Sequence, residues 1–195
     1  MKKINTAILN EIFLKSITEH FSVMENSYKN NKSLLYKIAR KILLSLSKDG
    51  CIYLCGNGGS AADAQHIAAE FVGKFKKPRK PLKSYALNTN LSSITAIAND
   101  YDFKDIFSRQ VSCFMNKEDI LIGLSTSGNS MNVLNAIKEA NKKKATTIAF
   151  LGNNGGLISK HAKINIIVNS KNTARIQESH LAFLHIICEI VDFYL

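Results

Sequence analysis

Apolar residues recur at helical spacing through 4–20 and again through 32–47, where Leu34, Leu35, Ile38, Ile42, Leu43 and Leu46 mark one face. The pattern predicts two amphipathic helices ahead of any strand. Its period then changes. Five short apolar runs follow, "CIYLCG", "SYALN", "ILIGLS", "TTIAFLG" and "INIIVNS", each closed by Gly, Ser or Asn. Helical patterns over 60–73, about 91–115 and 130–143 separate them, with a short turn near 156–161 and a last helix over about 173–194. Strands that are apolar throughout and alternate with helices require a parallel sheet covered on both faces. The expectation is an α/β three-layer sandwich with a five-stranded parallel sheet flanked by helices. It forms one domain over 1–195, with an N-terminal helical extension over about 1–48.

In such sheets the functional loops lie beyond the carboxyl ends of the strands. Those ends carry "GNGGS" (56–60), "LSTSGNS" (124–130), "LGNNGG" (151–156) and "NSKNTARIQ" (169–177), all small, polar and rich in anion-binding groups. Gly56 to Ala61 fits the dinucleotide fingerprint G-x-G-x-x-A between a strand and a helix. That fingerprint needs a carboxylate at the end of the second strand, about 20 residues on. Here the strand ends in Leu87-Asn88-Thr89-Asn90, so a dinucleotide is disfavoured. The second loop places Ser125, Thr126, Ser127 and Ser130 ahead of a helix. One hydroxyl caps a helix; four exceed that need. Hydroxyls and free N–H groups at a helix N-terminus suit a phosphate, and without the Lys of a Walker loop the occupant is a monophosphate ester rather than a nucleoside triphosphate.

Composition changes this picture little. The longest apolar stretches fall short of the roughly 18 residues of a membrane span, and the basic start "MKKINTAILNEIF" lacks a cleavage site, so a soluble, cytoplasmic protein is expected. Cys51, Cys55, Cys113 and Cys188 show no metal or redox spacing and are read as free thiols. The formal net charge of +11 is concentrated in "KFKKPRKPLK" (74–83) and "NKKK" (141–144). With Phe75 the only aromatic among them, these clusters are read as solvated surface, not as a platform for nucleic acid.

Taken together, "CGNGGSAADAQHIAAEF", "AIANDYDF", "FSRQV", "GLSTSGNS" and "TARIQESHLAFLHIICEIVD" make the chain resemble the SIS (sugar isomerase) family of phosphosugar-binding domains. Within that family it is similar to the branch acting on sedoheptulose 7-phosphate. The resemblance implies a homotetramer with active sites where subunits meet. It implies conversion of that ketose phosphate to D-glycero-D-manno-heptose 7-phosphate, the first step toward activated heptose for surface glycans. Carried over by position, substrate-binding residues fall on Asn57, Gly58, Gly59, Glu70, Asn99, Asp100, Ser125, Thr126, Ser127, Ser130 and Gln177. Metal ligands, for zinc, fall on His66, Glu70, Gln177 and His185, and the catalytic pair on Glu70 and His185. Lys74 stands where many relatives carry Arg. The family also holds non-catalytic members that bind a replication-initiator partner or sense phosphosugars; the retained Glu70 and His185 weigh against both.

The chemistry needs these types of residue. Isomerising a 2-ketose to an aldose moves a proton between adjacent carbons through an enediol, so a base, an acid and an oxygen-polarising group are required. His66 and Glu70 are four apart and share a helix face. His185 lies eight residues after Gln177, about 12 Å along a straight helix and about 80° around it. Both reach one ion only if their side chains converge, the helix is irregular or different subunits supply them.

Overall fold

The computed structural model describes residues 4–195. Five parallel strands, β1 (Ile52–Cys55), β2 (Ser84–Ala86), β3 (Ile120–Ser125), β4 (Thr146–Gly152) and β5 (Ile164–Val168), form one sheet in the order β2-β1-β3-β4-β5. Although the runs are apolar throughout, their side chains still divide by the strand period of two. Ile120, Ile122 and Leu124 face one layer with Ile148 and Phe150, whereas Leu121, Ala149 and Leu151 face the other. The first layer holds α1 (Thr6–Leu46), α2 (Gly59–Val72) and α6 (Thr173–Tyr194). The second holds α3 (Leu91–Asp100), α4 (Ser108–Phe114) and α5 (Met131–Lys142).

Two expectations need correction. The N-terminal extension is one helix of 41 residues, not two. The inward stripe continues through 21–31, but there it runs through Ser27 and Asn31, which are buried and polar and so leave no hydrophobic signal. Asn31 has its own reason to be inside. Its Nδ2 donates to the Ile167 carbonyl at 3.0 Å and its Oδ1 accepts from the Ile167 N–H at 3.3 Å, which occupies backbone groups of the edge strand β5. The helical pattern over 91–115 is also broken. Asp102 is extended and its carboxylate accepts from the Lys104 N–H at 2.9 Å, capping a short 3₁₀ turn (Phe103–Asp105) that separates α3 from α4.

All four cysteines are free thiols. Burial pushes Cys55 and Cys188 up to about 12, which keeps them protonated and inert. Among the described residues no helix is long and apolar enough to cross a membrane.

His180 of α6 is fully buried and its Nε2–H donates to the Leu151 carbonyl at 3.1 Å, while Nδ1 has no partner. Burial pushes its pKa down to about 4, against the pull of that carbonyl. The folded chain therefore refuses a proton that an unfolded histidine takes up near pH 6.5. Stability is fully present above about pH 6.5 and is lost as pH falls toward 4, by on the order of 3 kcal/mol. Urea denaturation at fixed protein concentration should show this acid loss in the wild type and a smaller one in His180→Gln. Equal acid losses in both would contradict it.

Candidate functional site

The strand order fixes where a ligand belongs. From β1 the chain moves to β2 on one side, and from β3 it moves through β4 to β5 on the other, so the crevice lies between the carboxyl ends of β1 and β3. The loops 56–60 and 125–130 leave those two ends. Asn57 and Asn132 join them by two reciprocal amide hydrogen bonds of 2.9 and 2.8 Å.

Both loops end in helix N-termini whose cap residue makes no side-chain capping hydrogen bond, although Asn132 Oδ1 takes the Val133 N–H of α5 at 2.9 Å. The N-termini of α1, α3 and α6 are capped by Asn5, Asn90 and Asn172, each accepting a backbone N–H. Gly58 at the start of α2 and Ser130 at the start of α5 make no such bond. The Ser130 hydroxyl turns instead to Ser125 Oγ at 2.9 Å. Ser127 Oγ accepts from the Asn129 N–H at 3.1 Å and keeps its proton to donate elsewhere. An open helix end with aligned N–H groups and adjacent hydroxyls is an anion site. Next to it lies a polar cleft of about 530 Å³ whose lining includes Ser127, Asn129, Asn153, Ser170 and Lys171.

Along α2, Gly59, His66 and Glu70 recur at seven and eleven residues, which places them on one face. α6 packs beside that face. His66 Nε2 and His185 Nε2 stand 2.9 Å apart, and His66 Nε2 is 3.4 Å from Glu70 Oε1. Ligand atoms of all three fall within 4.8 Å of one another. Burial pushes the pKa of His185 down, neighbouring His66 pushes it further, and Glu70 opposes both. Two nitrogens and a carboxylate oxygen, with a side open to a further ligand, suit a divalent metal. Two nitrogens tetrahedrally bound at about 2.0–2.1 Å would stand roughly 3.3 Å apart, near the separation seen.

A family model described as SIS domain matches residues 13–152. The chain belongs to the SIS domain family. Among curated relatives, phosphoheptose isomerase 1 of Campylobacter jejuni is 45% identical over 178 residues, covering 91% of this chain and 95% of that protein. Phosphoheptose isomerase of Helicobacter pylori is 40% identical, covering 95% and 96%. The solved structure of phosphoheptose isomerase GmhA from Neisseria gonorrhoeae superposes with a TM-score of 0.90 at 39% identity, over 95% of this chain and 99% of that one. Within its family this SIS protein is therefore an isomerase of the phosphoheptose type.

The SIS core brings Asn57, Gly58 and Gly59 to the same rim as Ser125, Thr126, Ser127 and Ser130. His66, Glu70 and His185 form the second group. Gln177 meets α2 nearer its N-terminus. Its carboxamide lies against Gly59, where a methyl would stand 2.5 Å from Nε2. That is seven residues, roughly 10 Å, up α2 from His66. Asn99 and Asp100 are exposed at the far end of α3, ten residues back from the rim, with Asn99 Nδ2 donating to Asp100 Oδ1 at 2.9 Å.

Sequence reasoning missed three participants, two at the rim and one at the far end of α2. Asn132 sits on the buried face of α5, and its polarity among Val133, Leu134 and Ala136 was the available signal. Asn153 has φ +54 and donates to the Thr126 carbonyl at 3.1 Å, bracing the hydroxyl loop from β4. Arg79, read as solvated surface within the basic run, has a buried side chain.

Proposed function

We propose that this SIS protein interconverts sedoheptulose 7-phosphate and D-glycero-D-manno-heptose 7-phosphate, as a cytoplasmic homotetramer holding zinc. A single observation carries the reading. An open anion cradle at the β1/β3 crevice begins the same helix, α2, whose face carries His66 and Glu70 against His185. His66 lies roughly 10 Å along α2 from Gly59, a separation of the order needed between the phosphate and the reacting end of an extended sugar phosphate.

The hydroxyls of Ser125, Thr126, Ser127 and Ser130, with the N-termini of α2 and α5, hold the phosphate and fix the sugar's direction. Glu70 removes one C1 proton of the ketose and, after exchange with solvent, delivers a proton to C2. The C1–H electron pair becomes the enediol double bond, and the C2 carbonyl oxygen takes up a proton. His185 moves protons at O1 and O2 and is held near neutral pH in its uncharged form by burial and by His66. His66, Glu70 and His185, joined by Gln177, would hold zinc, which polarises sugar oxygens when bound. Glu70 has two carboxylate oxygens, so one can face the ion and the other the substrate carbon. The pair Asn99–Asp100 completes a site only where a neighbouring subunit brings it in.

Assay of purified protein for conversion of the ketose phosphate to the aldose phosphate tests the reading. Absence of turnover with zinc present would favour a non-catalytic phosphosugar-binding role. Ser127→Ala should weaken sugar-phosphate binding by about 1–3 kcal/mol, the cost of leaving a charged acceptor short of a donor. If calorimetry finds sedoheptulose bound as tightly as its phosphate, the hydroxyl loop has another role.

The tetramer rests on α1. Its N-terminal half exposes Ile8, Ile12, Phe13, Ile17 and Phe21, each more than half accessible. Seven residues separate Leu14 from Phe21 and both remain uncovered, so the stripe continues for several turns. Closed symmetric assembly is the usual way to bury such a face. Light scattering at micromolar concentration should give four chains of 21.6 kDa, and a monomeric mass would contradict it.

A further inference from the structure

The segment linking α2 to β2 is the most basic stretch of the chain, yet its centre is tied inward. The Arg79 side chain is 4% exposed and that of Asp192, in the last turn of α6, is 3% exposed. Arg79 Nε donates to Asp192 Oδ1 at 2.6 Å, and Asp192 Oδ2 accepts from the Lys76 N–H at 2.8 Å. The remaining guanidinium nitrogens turn to the end of α2. Nη2 donates to the Glu70 carbonyl at 2.8 Å, and Nη1 to the carbonyls of Phe71 at 2.8 Å and Gly73 at 3.2 Å.

The last carbonyls of a helix have no partner within it. A planar fork of donors satisfies several of them at once, and its charge complements the negative helix end. One of the carbonyls held in this way belongs to Glu70. In the same segment Phe75 stacks on the His185 ring, with centroids 5.6 Å apart and planes 19° from parallel. The Arg79–Asp192 pair therefore anchors the segment on both sides of the group formed by His66, Glu70 and His185. The ion pair by itself adds little to stability, because a well-packed apolar pair often replaces a buried ion pair without loss. An apolar pair has no means of gripping the Glu70 carbonyl.

We propose that Arg79 and Asp192 are positioning residues for the isomerisation: through the Glu70 carbonyl and the Phe75 ring they hold the base and the imidazole in their mutual geometry. Neither touches substrate. The kinetic part rests on the isomerase reading above.

The variant pair Arg79→Met with Asp192→Leu removes both charges and strands neither. It is compared with Phe75→Leu for helical circular dichroism, assembly mass, turnover of sedoheptulose 7-phosphate, and proton NMR of metal-free, histidine-labelled protein. In the double variant, kcat per folded molecule should fall by roughly 10- to 100-fold, the usual consequence of a small misplacement of reacting groups. KM should change little, because the phosphate loops sit at the opposite end of α2. The His185 ring protons, shielded by Phe75, should move in both variants. Unchanged kcat per folded molecule, or a shift in Phe75→Leu but not in the double variant, overturns the proposal. Should the double variant fail to fold, Arg79→Lys keeps the charge pair and loses the fork, and is expected to lose kcat at wild-type helicity; wild-type kcat there also overturns it. A wild type without turnover strikes at the isomerase reading instead, and the His185 resonances still decide the positioning role.

Discussion

Glu70→Gln should stay folded and assembled, still bind sedoheptulose 7-phosphate, and isomerise it about 10² to 10⁴ times more slowly. That is the usual cost of removing a positioned general base. The substitution isolates one property. Gln keeps the length of the side chain and an oxygen that can face His66, where Glu70 Oε1 now stands 3.4 Å away. It also leaves untouched the Glu70 backbone carbonyl, which Arg79 grips at 2.8 Å. The proton acceptor and its negative charge disappear. Metal content measured alongside separates this loss from loss of the ion. Near-normal turnover by metal-replete Glu70→Gln would assign the base to another residue.

Gly128→Ala should abolish phosphate recognition through shape rather than chemistry. Gly128 has φ +69, a left-handed conformation that costs a non-glycine residue roughly 1–2 kcal/mol. A methyl there would stand 2.3 Å from the Gly155 carbonyl oxygen and 2.8 Å from the Gly156 nitrogen. Both are backbone atoms that cannot rotate away, and overpacking of this kind adds roughly 1–3 kcal/mol. The loop must open or the β4 loop must move. Either displaces Ser127 and Asn129, whose side chains complete the turn. The expected result is a fall of about 2–5 kcal/mol in unfolding free energy, together with loss of calorimetric binding of the sugar phosphate. Wild-type stability and affinity would show that the two loops are not locked together.

The sheet was legible because each apolar run ends in residues that break strands, and because residue runs between them keep the helical period. Local polarity hid the rest. Ser27 and Asn31 occupy the buried face of α1 and erased its apolar stripe, so one helix read as two. Asp102 ended α3 by capping a new turn, a competition between side chain and helix that periodicity does not register. At the site, the pairing of His66 with Glu70 follows from a spacing of four. The arrival of His185, 119 residues away from His66, came only through the family resemblance. The same separation in sequence concealed Arg79 with Asp192 and Asn57 with Asn132, whose partners lie 113 and 75 residues apart. A charge in a basic run looks solvated until its buried partner is known.

Above all, the base on α2 is expected to move a carbon-bound proton of a sugar phosphate held by the β1 and β3 loops. Proton NMR of sedoheptulose 7-phosphate incubated with the metal-replete protein in deuterated water tests it most directly. Passage through an enediol predicts an aldose phosphate carrying deuterium at C2, and washout of one of the two C1 protons of the remaining ketose. A substrate that keeps every carbon-bound proton and yields no aldose phosphate would contradict the account.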